Sequence, residues 1–221
     1  ISFRVPAAVG FLFVLLRRWI PRAVDFDGSP PVREIRVAAG SPGRMSRAIA
    51  NAVVFQVGWW IAVLGTGWAY HWMGPILVAC LVCVNVCSSA DRRATARIVI
   101  VVGLFGTLLD SALSFAGLLL FVENPFAPWL CPPWLIALWC LLATTLNGSL
   151  RWLAGRNRSA ALVGGIFGPL SYYAGQQLGA LRLGRNETLS LLLLSILWAV
   201  VLPLLLRWAS GRRSASGSGD A

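Results

Sequence analysis

Runs of about twenty mostly apolar residues recur along this chain, and its charges fall mainly between them or in the first forty residues. A helix rises ~1.5 Å per residue, so about twenty apolar residues cross the ~30 Å hydrocarbon layer of a bilayer. With no water at that depth, each segment must satisfy its own backbone donors and acceptors, which only a helix does within one segment. The windows fall at about 48–69, 73–89, 98–121, 134–153, 160–181 and 188–206. The expected fold is all-α, a polytopic membrane helical bundle of about six transmembrane helices. A chain 57% hydrophobic and only 12% charged has no place among soluble domains of this length.

The formal charge of +11 would suggest nucleic acid in a soluble protein. Here all 19 basic residues are arginine, and they cluster at the ends of apolar segments without interleaved exposed aromatics, so no nucleic-acid partner is expected. Read as topology signals, Arg47, Arg92 to Arg97, Arg151 to Arg158 and Arg207 to Arg213 belong on the cytoplasmic side. The stretch from Glu123 to Pro133 has no basic residue and several prolines, as an ordered loop on the far side would. Only Arg182 and Arg185 oppose this arrangement, which places both termini in the cytoplasm.

Residues 1–44 read as an upstream extension or disordered tail, because Asp25 to Gly43 is rich in proline, glycine and charge and Met45 directly precedes the first good span. Residues 45–208 form the six-helix membrane domain and 209–221 a flexible cytoplasmic tail. No internal repeat is evident, so an inverted-repeat transporter fold gains no support.

Cys80, Cys83 and Cys87 share one expected helix, Cys140 another, and Cys131 lies in a loop. This spacing suits small packing residues better than a disulfide or zinc framework, and no metal is expected. His71, next to Trp72, reads as part of an interfacial aromatic belt with Trp68 and Tyr70. The chain has no phosphate-binding glycine loop, no HExxH and no nucleophile elbow, which excludes ATP-driven pumping and zinc proteolysis. A single interfacial histidine hardly supplies haem ligands, and no cofactor is expected.

Asp110 falls in the middle of the third window. An ionised carboxylate costs at least a few kcal/mol there, so it should face the bundle interior, protonated or partnered. It serves either as a proton relay or headgroup anchor, or as a buried bond to a neighbouring helix. Asn51, Asn85 and Asn147 fall in the cytoplasmic third and Gln56 near mid-depth, so with Asp110 they could line one polar cavity or simply join helices. In the fifth window Gly164, Gly168, Ser171, Gly175 and Gly179 recur every three or four residues and share a helix face suited to close packing. Pro169 frees the carbonyl of Gly165 for another partner, and Tyr172, Tyr173, Gln176 and Gln177 add polar groups beyond it. The substrate-binding candidates are Asn51, Gln56, Asp110, Asn147, Ser171, Tyr172 and Gln176, with Asp110 the one catalytic candidate.

Phe55-Gln56-x-Gly58-Trp59-Trp60 after Asn51, Asp110, Pro133-Trp134 with Leu138-Trp139, Leu146-Asn147-x-Ser149-Leu150, and Gly168 to Gly175 together resemble an uncharacterised bacterial inner-membrane family of unknown function. The resemblance covers about 51–206, leaves out residues 1–44, and implies a multi-pass membrane protein without an established activity. Three functions are compatible with these residues. The first is a protein that binds or handles a lipid or other hydrophobic molecule in a polar-lined intramembrane cavity. The second is an intramembrane enzyme using Asp110 as acid or base. The third is a structural partner in a membrane complex, as a homo-oligomer or with another membrane protein.

Overall fold

The computed structural model describes residues 42–67 and 72–216 and is helical apart from one short strand pair. Among the described residues six helices follow in order: α1 (Pro42–Leu64), α2 (Met73–Cys87), α3 (Arg92–Phe115), α4 (Pro133–Leu146), α5 (Asn157–Gln177) and α6 (Glu187–Ser216). Strand β1 (Leu119–Phe121) follows α3 and strand β2 (Leu181–Leu183) follows α5. The two pair antiparallel, with Leu120 opposite Arg182 at the centre. The expectations for residues 1–41, Trp68, Tyr70, His71 and the last five residues lie outside the described residues.

Local chemistry sets the boundaries. The Asp91 carboxylate accepts from the Ala94 N–H at 2.9 Å and caps the start of α3. Pro132 and Pro133 open α4, where the missing N–H costs nothing. Helices α3 and α5 end alike, each with a glycine at positive φ, Gly117 at 71° and Gly179 at 81°. The Leu118 N–H bonds to Leu113 O and the Gly117 N–H to Ser114 O, and Ala180 and Gly179 repeat the pattern on Gly175 and Gln176. This is the Schellman ending, which satisfies the last carbonyls and turns the chain out of the helix. The windows at 98–121 and 160–181 thus each contain a helix, a glycine stop and the start of a strand. Hydropathy does not register the break, because Leu118 to Phe121 are as apolar as the helix before them.

Among the described residues three helices, Met45–Leu64, Arg92–Phe115 and Glu187–Gly211, are long and apolar enough to cross a membrane. Met73–Cys87 and Pro133–Leu146 are apolar but shorter. Helix α4 stops at Leu146, before a turn and the 3-10 segment Arg151–Leu153, so the window 134–153 is only partly helical. Helix α6 continues to Ser216, past the expected boundary at 208.

The burial pattern is that of a bundle made for apolar surroundings. Helix α3 exposes Ile100, Leu104 and Leu108 and buries Gly103, Gly106, Thr107, Asp110 and Ser111. A soluble helix buries its apolar stripe and exposes its polar one. This one buries Thr107, Asp110 and Ser111 alongside Ile98, Val99 and Val102 and leaves large aliphatic side chains exposed, which is compatible with a membrane protein. Within the bundle α5 packs most extensively on α6, α3 on α4, and α2 on α4.

Candidate functional site

The interior of the bundle is organised around Asp110, which is completely buried. Its Oδ1 accepts from the Tyr172 hydroxyl of α5 at 2.6 Å, and its Oδ2 accepts from Trp139 Nε1 of α4 at 2.5 Å. Three helices therefore meet at one carboxyl group, whose two oxygens each have a donor. Trp139 is held on every side. It stacks on Trp198 of α6 with ring centroids 5.1 Å apart and planes 11° from parallel, and the edge of Phe105 meets it at 6.1 Å. Gly106, one turn before Asp110, lets the indole lie against the α3 backbone, since a Cβ there would fall 1.8 Å from Trp139 Cδ2.

Trp198 has a similar seat on α5. A Cβ on Gly168 would lie 2.2 Å from Trp198 Cγ, and one on Gly164 would lie 2.3 Å from the Trp198 carbonyl oxygen. The small-residue face expected from the sequence thus mediates a close helix crossing at Gly164 and Gly168, whereas Gly179 ends the helix. Trp198 Nε1 is buried beside the Tyr172 hydroxyl yet completes no hydrogen bond of ordinary geometry. A donor of this kind is costly to bury unmet.

The carbonyl freed by Pro169 already has a partner. Gly165 O accepts from the Ser195 hydroxyl of α6 at 2.7 Å, so the proline break serves helix packing. Ser171 turns its hydroxyl to Gly168 O on its own helix at 2.7 Å. Gln176 lies beyond the core at the strand pair, where Oε1 accepts from the Leu183 N–H at 2.6 Å and Nε2 donates to Glu187 at 3.1 Å. Asn51 Oδ1 accepts from both the Ser149 N–H and the Ser149 hydroxyl at 3.0 Å, tying the first turns of α1 to the turn after α4. In the same turn Asn147 Oδ1 is buried without a partner. Gln56 is half-buried on α1. Of the seven binding candidates the structure joins Asp110 to Tyr172 directly, gathers Asn51 and Asn147 near the arginine-bearing turn, and places Gln176 towards the strands.

Two central residues, Trp139 and Trp198, are absent from the sequence-derived set. Nothing about a tryptophan in an apolar run marks it as the donor to a carboxylate on another helix. The usable signal was Gly106, because a glycine one turn from a buried acid leaves room for a large partner.

At the strand end of the bundle a cleft of about 310 Å³ opens between the α1–α2 connection and the loop after β1, lined by residues including Thr66, Trp72, Glu123, Asn124 and Trp134. It contains none of the Asp110 cluster. Within that loop Cys131 is completely buried, and its N–H donates to the Ser111 hydroxyl at 2.9 Å. Burial pushes the Cys131 thiol up to about 12, helped by the nearby Asp110. Because only the thiolate is nucleophilic, Cys131 is expected to resist alkylation by iodoacetamide at pH 8 in the folded protein and to react after denaturation. Mass spectrometry of the Cys131 peptide reads the difference, and equal labelling before and after denaturation would contradict the burial.

Comparison with known proteins gives a family. Residues 48–204 match the family model described as "Protein of unknown function (DUF2878)". No curated protein and no solved structure matches the chain.

Proposed function

The chain belongs to this family of unknown function, and we propose that it is a multi-pass protein of the bacterial inner membrane that binds a lipid or other hydrophobic molecule within the helix bundle, at the polar cluster around Asp110. The observation that carries this reading is the cluster itself. A carboxyl group, a phenol and two indole N–H groups converge at a helix junction deep in the bundle, and Trp198 Nε1 faces the Tyr172 hydroxyl without a well-formed bond. Intramembrane ionisable residues are costly and mark functional sites by default. A ligand carrying an acceptor oxygen, as a hydroxyl or carbonyl, would satisfy Trp198 Nε1 and exchange bonds with Tyr172, while its apolar part occupied the space between helices.

The grouping of helix ends supports one orientation. Pairing of β1 with β2 gathers the ends of α3 and α5, and the Asn51–Ser149 bonds gather the start of α1 and the end of α4. Arg47, Arg92, Arg93, Arg97, Arg151, Arg156, Arg158 and Arg207 then flank the second end, which the positive-inside rule assigns to the cytoplasm with both termini.

One observation favours a second reading. Both oxygens of Asp110 already have donors and the cleft does not reach it, so the cluster could act purely as a helix-joining bond in a structural partner of a membrane complex. Acid–base catalysis by Asp110 would likewise require one oxygen to be released. Native mass spectrometry of the protein extracted in mild detergent separates these readings. The binding reading expects a retained lipid or other small hydrophobic molecule on the wild type and its loss from a folded Tyr172→Phe variant. A wild type that retains nothing would leave the structural role.

A further inference from the structure

Hydropathy along the chain shows no repeat, yet short segments of α3 and α5 correspond residue for residue. The hexapeptide Gly103-Leu104-Phe105-Gly106-Thr107-Leu108 of α3 has a counterpart 62 positions on in α5, Gly165-Ile166-Phe167-Gly168-Pro169-Leu170. The same offset relates Gly117 to Gly179, the two Schellman glycines, and Leu119 to Leu181, the two buried strand starts. It also relates Asp110 to Tyr172. An offset of 59 carries Leu138-Trp139 of α4 onto Leu197-Trp198 of α6. The contacts agree. Gly106 seats Trp139, and Gly168 seats Trp198; Gly103 lies against Cys140, and Gly165 against Ala199.

The corresponding groups also meet one another. Leu120 lies opposite Arg182 at the centre of the strand pair, Asp110 bonds to Tyr172, and Trp139 stacks on Trp198. Each is a contact between residues at equivalent positions, which is what a two-fold axis between two copies of one unit produces. We infer that α3–β1–α4 and α5–β2–α6 are two copies of one helix–strand–helix unit, joined at the strands by a hinge and at mid-depth by the Asp110–Tyr172 bond acting as a latch.

Backbone packing supports a division into halves. Within each unit the helices approach closely along their length, whereas between units close backbone approach is concentrated in the strand pair. The latch is where the units diverged, since the axis brings together an acceptor and a donor where identical residues would meet as two acids or two phenols. The symmetry is broken outside the pair as well. Helix α1 covers α4 at Leu141, against which Gly58 packs, while Val200 at the equivalent position of α6 is exposed. This inference rests on the binding reading only in assigning a purpose to opening: parting the halves at the arginine end would uncover the Asp110 cluster to a ligand. Membrane proteins built of parallel repeats carry their sites at such a junction.

Two measurements on the full chain test it. In a background with Cys80, Cys83 and Cys87 replaced by serine, spin labels are placed at Arg97 and Ser159, equivalent positions far from the strands, and their separation is read by double electron–electron resonance in lipid nanodiscs. The latch predicts that Tyr172→Phe lengthens or broadens the distribution relative to the unsubstituted latch. An unchanged distribution overturns it, whatever lipid the protein retains. The repeat predicts that the exchange Asp110→Tyr with Tyr172→Asp recovers thermal stability relative to Asp110→Tyr alone, because the two positions are interchangeable. If the exchanged chain fails to fold, alanine at Gly103 and at Gly165 gives the second reading. The repeat expects the same direction of change in melting temperature at both, and opposite directions overturn it.

Discussion

Gly106→Ala will yield little or no folded protein. The added carbon would sit 1.8 Å from Trp139 Cδ2 and 2.2 Å from Cγ, well inside contact distance, so the indole or the helix must move. Trp139 cannot retreat cheaply, because its far side stacks on Trp198 and its N–H is bound to Asp110. Overpacking a well-filled core costs about 1 to 3 kcal/mol. Here the shift would also break the buried Trp139–Asp110 bond, adding about 1 kcal/mol or more. That loss is a large share of the ~5 to 15 kcal/mol by which a typical domain is stable. Fluorescence-detected size-exclusion chromatography of a tagged protein checks it, with a collapsed monodisperse peak expected. A Gly211→Ala control, where nothing lies within 4 Å of the added carbon, should leave the peak unchanged.

Asp110→Ala is expected to be nearly as damaging, for a different reason. It removes little volume but leaves the Tyr172 hydroxyl and the Trp139 N–H buried without an acceptor. Each orphaned donor costs about 1 to 3 kcal/mol. Some of this is recovered in a membrane, where partly unfolded helices also find partners, and single interhelical bonds there average ~0.6 kcal/mol. Asp110→Asn keeps one acceptor oxygen and should lose less. The expected order of melting temperatures in detergent is wild type above Asp110→Asn above Asp110→Ala. Equal melting of all three would mean that Asp110 contributes no net bond.

Much of this architecture was legible in the residues because the bilayer is an exacting solvent. Twenty-residue apolar windows, arginines between them and a lone mid-span acid are consequences of transfer cost, and transfer cost is local to the sequence. Thus α3, α6 and the interior placement of Asp110 could be foreseen, as could the close-packing role of Gly164 and Gly168. The strand pair was not foreseen, because Leu119 to Phe121 continue the hydropathy of the helix before them and a Schellman stop depends on one glycine's φ. Nor did sequence depth predict the partners of the amides. Asn51 and Gln56 lie less than two turns apart on α1, yet Asn51 caps the turn at Ser149, while Gln176 braces a strand.

The repeat was masked by its own divergence. GLFGTL and GIFGPL are similar over six residues, but the residue that follows at the junction is an acid in one copy and a phenol in the other. Reading composition position by position makes Asp110 and Tyr172 unrelated candidates. Their equivalence becomes visible when the glycines on either side are aligned, Gly106 with Gly168 and Gly117 with Gly179.

The two halves are latched by one bond between those two residues. A double-mutant cycle of Asp110→Asn and Tyr172→Phe, read as unfolding free energy by denaturant titration of the detergent-solubilised protein, measures it directly. The predicted result is non-additivity of about 1 kcal/mol or more, with the double variant losing less than the two single losses combined. Additive losses within about 0.3 kcal/mol would show that the two side chains do not act on each other, and would contradict a latch between the two halves.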